Sequence, residues 1–198
     1  MLLSLGWQAL AHEPADGSIY GTMAPYTIRT QPRNHEFSSP WTGGFALIAE
    51  GDLDQNGGIE IGAMYLNQLF SLKQGDKEVE ELGHRIYVTT GYRYWPKPWF
   101  SVALTFFSSY SIGSGQIVHN EFASDQIPET SAHVITSYGF DGSVQFEPWH
   151  KERYAMIVDL RYSYSITPRP GEDTNFYGAM VGLKYFIQGP DVPPPLRN

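Results

Sequence analysis

Apolar and polar residues alternate along most of this chain, and clusters of turn-forming residues interrupt the alternation. A period of two is typical of a β-strand with one apolar and one polar face, whereas an amphipathic helix repeats every three to four residues. The alternation predicts eight strands, each long enough to cross a membrane at a tilt, which takes ~9–11 residues. They lie at residues 18–30, 42–53, 58–70, 82–94, 99–111, 133–146, 154–166 and 175–188.

The connections between these strands alternate in length. The first, third, fifth and seventh are long, at residues 31–41, 71–81, 112–131 and 167–174, and the other three are short, at 54–57, 95–98 and 147–153. Outer-membrane barrels have short turns at one end and longer loops at the other, whereas a soluble meander has no reason to sort its loops. The pattern therefore predicts an all-β fold over residues 18–188, an eight-stranded antiparallel up-and-down transmembrane β-barrel.

The polar face of the predicted strands carries charges of both signs. Its charged members are Glu50, Asp52, Glu60, Arg85, Arg93, Asp141, Asp159, Arg161 and Lys184. The interior of an eight-stranded barrel is only wide enough to be filled by side chains, and buried charges need partners. We expect these residues to pair with one another and close the lumen. A gate for ions is the alternative function of the same residues.

Aromatic residues collect near the ends of the predicted strands, in the two rows expected where an apolar band meets lipid headgroups. The row at the short-turn end contains Tyr20, Tyr94, Trp99, Phe146, Tyr154 and Tyr185, and the row toward the long-loop end contains Tyr26, Trp41, Tyr110, Tyr164 and Tyr177. These rows favour lipid around the outside of the barrel. Alternation alone does not fix which face is inside, so a soluble lipocalin-like barrel with an apolar ligand pocket stays the alternative.

The composition narrows the function classes. Charged residues make up 17% and aromatic residues 15% of the 198 residues, and the net charge is −8. An acidic chain lacks the basic face that binds nucleic acid, so we expect no nucleic-acid partner. The chain has no cysteine, which excludes disulfides and thiolate metal sites. No apolar run reaches ~18 residues, so no transmembrane helix is predicted.

The two ends of the sequence differ from the middle. Residues 1–11 are apolar and end in Ala9-Leu10-Ala11, the small-x-small pattern of a cleavage site, although the basic start of a signal peptide is missing. We interpret them as a truncated signal peptide and expect an exported protein. Residues 189–198 are rich in proline, which predicts an extended tail.

The strand pattern resembles the small eight-stranded outer-membrane barrels of the OmpA transmembrane-domain and OmpX type. The last predicted strand carries FYGAMVGLKYF at 176–186, which is similar to the aromatic-ended C-terminal strand that such barrels present to the barrel-assembly machinery. Here the chain runs on past that strand instead of ending on an aromatic residue. The resemblance implies a bacterial outer-membrane location and contact with outer-membrane lipid and lipopolysaccharide. We expect a monomer.

Candidate catalytic and metal-binding groups are scattered. No two histidines are two or four residues apart, and the Asp-x-Asp-x-Asn-Gly stretch at 52–57 fits a hairpin turn better than a calcium loop. We predict no catalytic site, metal or cofactor. Some outer-membrane barrels modify lipids with a histidine and a serine near the outer surface. His84, His119 and His133, near the long-loop end, therefore keep a lipid hydrolase or acyltransferase as an alternative.

The longest predicted connection, residues 112–131, is the candidate binding surface. It opens with the flexible Gly113 and Gly115 and then carries several acidic residues. Long loops on a rigid scaffold are where binding residues concentrate. We therefore predict a non-enzymatic outer-membrane protein with a structural or surface-interaction role, which binds an extracellular ligand through this loop. A narrow ion channel or porin-like barrel is the alternative.

Overall fold

The structure, a computed structural model, describes residues 17–31, 39–133 and 136–188. The predicted signal peptide and the predicted proline-rich tail lie outside the described residues. Ten strands are present: β1 (Ile19–Thr30), β2 (Thr42–Asp52), β3 (Gly57–Gln74), β4 (Lys77–Lys97), β5 (Phe100–Ser111), β6 (Gln116–Asn120), β7 (Thr136–Lys151), β8 (Tyr154–Ser165), β9 (Glu172–Asp173) and β10 (Phe176–Gln188). Within the described ranges, no helix has the length and apolar character needed to cross a membrane.

Eight of these strands close into an antiparallel barrel. β1, β2, β3, β4, β5, β7, β8 and β10 pair in chain order, and β10 returns to β1 over a ladder that runs from Tyr20 opposite Phe186 to Thr30 opposite Phe176. The predicted fold class is confirmed. The alternating sequence holds this register, because a slip by one residue would turn every side chain of a strand to the wrong face.

The barrel has a short-turn end, where β2–β3, β4–β5 and β7–β8 connect, and a long-loop end. The prediction of a loop at 71–81 is wrong, since β3 and β4 continue to a two-residue turn at Gly75 and Asp76. Gly75 has a φ of 64°, a left-handed conformation that glycine adopts without strain. At the short-turn end, Pro96 and Pro148 lie inside strands at register shifts, where a residue without an N–H is tolerated.

Beyond the barrel rim at the long-loop end, the β3–β4 hairpin is widened by two short strands. β6 pairs with Val79 to Leu82 of β4, and β9 pairs with Ser71 and Leu72 of β3. We call residues 70–82 together with β6 and β9 the protruding sheet. The predicted connections 112–131 and 167–174 therefore each contain a strand of this sheet.

The wall of the barrel is apolar on the outside. Met23, Leu47, Leu104, Leu160 and Val181 are between 48% and 66% exposed, while the side chains that alternate with them are buried in the lumen. A soluble lipocalin-like barrel would have the opposite arrangement, with its charges in water and its apolar side chains inside. The distribution is the one that a surrounding lipid phase requires.

Candidate functional site

The largest group of charged side chains lies inside the barrel, nearer the short-turn end. Glu60 accepts hydrogen bonds from Arg93 Nε and from Arg161 Nη2, both at 2.7 Å, so that one carboxylate bridges two guanidinium groups. Asp159 accepts from Arg93 at 3.2 Å and from Arg161 at 2.9 Å, and Asp141 accepts from Arg161 at 3.2 Å. We call these five residues the central network. None is more than 3% exposed.

A second group surrounds the ammonium of Lys184. Its Nζ donates to Glu50 Oε2 at 2.6 Å and to Glu147 Oε1 at 3.0 Å. The same Nζ lies 4.6 Å from the ring centroid of Tyr20 and 4.5 Å from that of Trp95, within the range of a cation–π interaction. We call this group the lysine cage. It neutralises the buried cation with two carboxylates and two aromatic faces.

The two groups are in contact, because Arg93 Nε lies 3.9 Å from Glu50 Oε1. Serine hydroxyls accept further hydrogen bonds from the guanidinium of Arg93, which donates to Ser101 at 2.7 Å and to Ser143 at 3.1 Å. Buried charges are tolerated when their remaining donors are satisfied in this way. Seven of the nine charged residues predicted for the lumen therefore form one connected system.

The other two predicted lumen charges lie at opposite ends of the barrel. Asp52 is buried at the short-turn end, where its backbone N–H donates to Ser18 O at 2.9 Å. Arg85 is buried toward the long-loop end. Its guanidinium donates to Ser109 Oγ at 2.5 Å and to Ser131 O at 3.1 Å, and it lies 5.4 Å from the Phe70 ring centroid.

An apolar layer separates the central network from the long-loop end. Along β3, the inward side chains change from Glu60 to Met64 and Leu66, which pack in one buried cluster with aromatic residues of other strands. In that cluster the Tyr87 ring lies 5.0 Å from Phe107 and 5.5 Å from Phe176. The charged networks and the apolar layer both lie inside the barrel, where eight strands leave room for little more than side chains.

A glycine opposite an aromatic ring makes part of this packing possible. A Cβ at Gly178 would collide with the ring of Tyr26, so only glycine lets Tyr26 lie flat across β10 inside the barrel. Tyr26 is 3% exposed and Tyr20 is 6% exposed, and both point inward. Their prediction as members of the aromatic rows is wrong, because both share the inward parity of Thr22 and Ala24.

The remaining predicted aromatic-row residues lie on the outward face or at its margin. Trp41, Tyr94, Trp99, Tyr110, Phe146, Tyr154, Tyr164 and Tyr177 are exposed, and Tyr185 is partly exposed. Several are in contact across neighbouring strands. Tyr154 and Tyr185 have ring centroids 5.1 Å apart at the short-turn end, and Trp99 stacks on Phe146 at 6.3 Å.

Sequence reasoning missed two members of the lysine cage. Glu147 and Trp95 fall in segments predicted as turns, but the strands run further than predicted. The alternation of each strand indicates the inward direction of both side chains, because Trp95 follows the inward Arg93 by two residues and Glu147 follows the inward Gln145 by two. Extending the alternation by one step would have placed both side chains inside.

Two buried carboxylates fasten the 112–133 segment to the top of the barrel. Glu81 accepts from Thr130 Oγ1 at 2.7 Å and lies 2.9 Å from His133 Nε2. Glu172 accepts from the Ser131 backbone N–H at 2.6 Å and also from its hydroxyl. Glu81 lies on β4 and Glu172 lies on β9, so two different strands hold the 112–133 segment.

The protruding sheet has its own buried core and an open edge. Phe70, Leu72 and Val79 of the sheet are no more than 2% exposed, as are the adjoining Leu69 and Ala132. Among the described strands, β6 pairs only with β4, so its other edge has no partner strand there. Ile117 and Val118 of β6 are 47% and 49% exposed. The sheet thus combines a packed interior with apolar side chains at its free edge.

The three histidines near the long-loop end are dispersed. His84 Nδ1 lies 2.6 Å from Asn67 Oδ1 and 3.1 Å from the Tyr65 hydroxyl, whereas His119 Nε2 lies 3.5 Å from a Glu121 oxygen. Across residues 17–31, 39–133 and 136–188, no three histidine or acidic side chains are placed to hold a metal ion.

No protein-family model and no curated protein sequence matches this chain. Solved structures do share its fold. The outer membrane protein OprG from Pseudomonas aeruginosa has a TM-score of 0.58 at 12% identity, covering 90% of this chain and 99% of its own. Ail, the attachment invasion locus protein of Yersinia pestis in complex with the heparin analogue sucrose octasulfate, has a TM-score of 0.53 at 11% identity, covering 86% and 99%. The resemblance to small eight-stranded outer-membrane barrels is confirmed for the fold.

Proposed function

We propose that this chain is an integral protein of the bacterial outer membrane that presents the protruding sheet at the cell surface and has a closed lumen. The apolar outer wall supports insertion in lipid, and the fold shared with OprG and Ail supports the outer membrane as the location. The long-loop end then faces outside and the short turns face the periplasm.

The protruding sheet is the observation that carries the surface role. A solvated loop would not need a buried core of its own, nor buried carboxylates to hold it in place. Rigid elements present a binding surface at a low entropic cost on association. The sheet is therefore suited to binding a partner, and its place above the barrel rim exposes it to the outside.

The open edge of β6 supports binding of a partner by strand addition. An unpaired edge strand presents a row of N–H and C=O groups, to which an extended polypeptide can add as a further strand. Val118 sits at the register shift where β6 has no counterpart on β4, and it is 49% exposed. Ile117 and Val118 would contribute apolar contact area.

The experiment uses bacteria that display the protein, tested for binding to a panel of immobilised extracellular proteins and sulfated polysaccharides. The polysaccharides are included because Ail was solved with a heparin analogue. We expect binding to a protein that Val118→Pro abolishes and Val118→Ala retains, because only proline removes the backbone donor. Binding that survives Val118→Pro would exclude the edge, and no binding above empty cells would contradict the surface role.

The filled lumen supports a barrel that does not conduct. In the described part of the chain, ion pairs and then an apolar layer occupy the lumen, which supports a lumen closed to ions. Planar-bilayer recordings of the purified protein should show no stable conductance steps. Large, reproducible steps would overturn the closed lumen and favour the gate.

The proposal also includes a non-enzymatic, monomeric barrel that the barrel-assembly machinery inserts. His84 contacts the Asn67 amide and the Tyr65 hydroxyl, and His119 lies 3.5 Å from a Glu121 carboxylate oxygen, contacts that do not favour a nucleophilic pair with serine. Mass spectrometry of lipid A from cells with and without the protein should show identical species. A new acylated or deacylated species would overturn the non-enzymatic role.

A further inference from the structure

One charged side chain stands apart on the outside of the barrel. On the outward faces of the described residues of β1, β2, β5, β8 and β10, Arg29 is the single charged residue. It lies near the long-loop end of β1, opposite Tyr177 of β10 in the ladder. In the described part of the chain, no carboxylate pairs with its guanidinium. An ionisable residue on a lipid-facing wall without an internal partner needs a functional explanation.

Aromatic residues flank this arginine on both sides. Tyr177 is its cross-strand neighbour on β10, and the Tyr177 ring lies 5.0 Å from Tyr162 on β8. On the other side, Trp41 directly precedes Thr42, which pairs with Ile28, so Trp41 lies level with Arg29. All three rings belong to the aromatic level where headgroups begin. Arg29 is thus at the depth of lipid headgroups.

An apolar groove runs down the outer wall directly below Arg29. Its volume is about 300 Å³, and its outward lining consists of Pro25, Thr27, Val158, Ala179 and Val181. Thr27 pairs with Ala179 and Arg29 pairs with Tyr177, so the groove begins one outward position below the arginine. The groove exists because small side chains on β1 and β10 lie between bulkier neighbours. Its shape fits a segment of one acyl chain.

We propose that β1, β10 and β8 form a binding site for one phosphorylated lipid of the outer leaflet, with its acyl chain in the groove and its headgroup phosphate bound by Arg29. A guanidinium binds a phosphate through two parallel hydrogen bonds. A headgroup without a phosphate does not offer this pair of charged acceptors. The site rests on the membrane placement proposed above but is independent of partner binding at β6.

A second groove on the same wall provides a matched control. It is larger, about 520 Å³, and its lining includes Leu47, Ala49, Ile61, Ala63 and Val88. Neither groove has a charged residue in its lining, but the outward residues next to the second groove toward the long-loop end, Phe45 and Tyr65, are uncharged, whereas Arg29 stands one outward position above the first groove. An acyl chain can lie in either groove, but only the groove below Arg29 offers a group that distinguishes one headgroup from another.

The test compares lipid retention by variants in nanodiscs of an uncharged, phosphate-free glycolipid that contain a minor fraction of lipid A, either phosphorylated or enzymatically dephosphorylated. Native mass spectrometry measures the lipid that stays bound. Since hydrogen bonds to charged groups are the strong ones, we expect Arg29→Gln to lower retention of the phosphorylated form about tenfold. Arg29→Lys should lower retention less than Arg29→Gln does, because lysine keeps the charge but loses the two parallel hydrogen bonds. Ala179→Leu should reduce retention whereas Ala63→Leu should not.

Several outcomes would overturn the site. Equal retention of phosphorylated and dephosphorylated lipid A by the wild type would show unselective contact with lipid. Loss of the bound lipid in excess inorganic phosphate would show a bare anion site rather than a lipid site. Equal effects of Ala179→Leu and Ala63→Leu would remove the groove from the argument. Failure of every variant, including the wild type, to enter nanodiscs would instead contradict the proposed membrane location.

Discussion

The two halves of the barrel interior are packed with different kinds of side chain, charged in one half and apolar in the other. Toward the short turns, the lumen is filled by the central network and the lysine cage, whose members are hydrogen bonded across the barrel. Toward the long loops, it is filled by Ile28, Leu66, Phe107 and other apolar side chains. Removing one charge leaves its partners buried, charged and without a counter-ion. Shortening an apolar side chain loses only the free energy of its contacts and of a small cavity. The charged half should therefore tolerate substitution less.

The largest effect is expected at Glu60, which bridges two arginines. Glu60→Gln removes the charge that Arg93 and Arg161 share and should lower the free energy of unfolding by about 3–5 kcal/mol. Urea titration of the protein folded in lipid vesicles, followed by tryptophan fluorescence, measures the change. A loss of less than about 1 kcal/mol would mean that water reaches the network and screens it.

The apolar half should respond more weakly to a comparable trimming. Ile28 is fully buried in the apolar cluster. Ile28→Val removes one methylene and should cost about 1 kcal/mol, measured by the same titration. If this variant is as unstable as Glu60→Gln, the two halves do not differ and the comparison fails.

An exposed ion pair outside the barrel should matter less than either half of the interior. Arg169 Nη2 lies 3.3 Å from a Glu129 oxygen, and the Glu129 side chain is 77% exposed. Because solvent screens such pairs, Glu129→Gln should change the free energy of unfolding by no more than about 0.5 kcal/mol. A larger loss would show that the 112–133 segment contributes to the stability of the whole barrel.

The smallest effect is expected at Glu80 and has the opposite sign. Partial burial and the neighbouring Glu78 carboxylate raise the pKa of Glu80 above its usual range. The folded state therefore holds this proton more tightly than the unfolded state, and stability falls as the pH rises through the carboxyl range. Glu80→Gln should stabilise the protein by about 0.3 kcal/mol at pH 7, after allowance for screening at this half-exposed site.

Unfolding titrations of wild type and Glu80→Gln as a function of pH check this sign. The advantage of the variant should disappear below the ordinary pKa of glutamate, where both states of the wild type are protonated. A variant that is less stable than the wild type at neutral pH would show instead that the Glu80 charge is favourably placed, for example toward His119.

Alternation along each strand, taken together with the loop lengths and the aromatic rows, predicted the fold and which charges face inward. Each side chain in a strand is placed by the parity of its position, so Glu60 and Arg161 could be assigned to the interior without knowing their partners. Their pairing could not be predicted, because Glu60 and Arg161 lie on strands that meet only across the closed barrel.

Two aromatic residues and the short strands β6 and β9 are features that the local sequence pattern did not predict correctly. Position near a strand end suggested an interface role for Tyr20 and Tyr26, but parity decides, and both belong to the interior. β6 and β9 are short strands whose pairing depends on the hairpin that β3 and β4 form above the rim. Nothing in their own sequence separates them from a loop, since tertiary contacts determine them.

The ladder between β1 and β10 joins the two ends of the barrel domain, and this has a consequence for how the chain folds. Neighbouring hairpins can form from local contacts, but the seam needs nearly the whole chain to be present. Loop closure over such a separation is slow, and contacts of this range dominate the folding rate. Until the seam forms, β1 and β10 each have a free edge that another chain can pair with. Synthesis order therefore cannot set folding order: the barrel becomes a single cooperative unit only after its last strand is complete, and aggregation competes with folding until that moment.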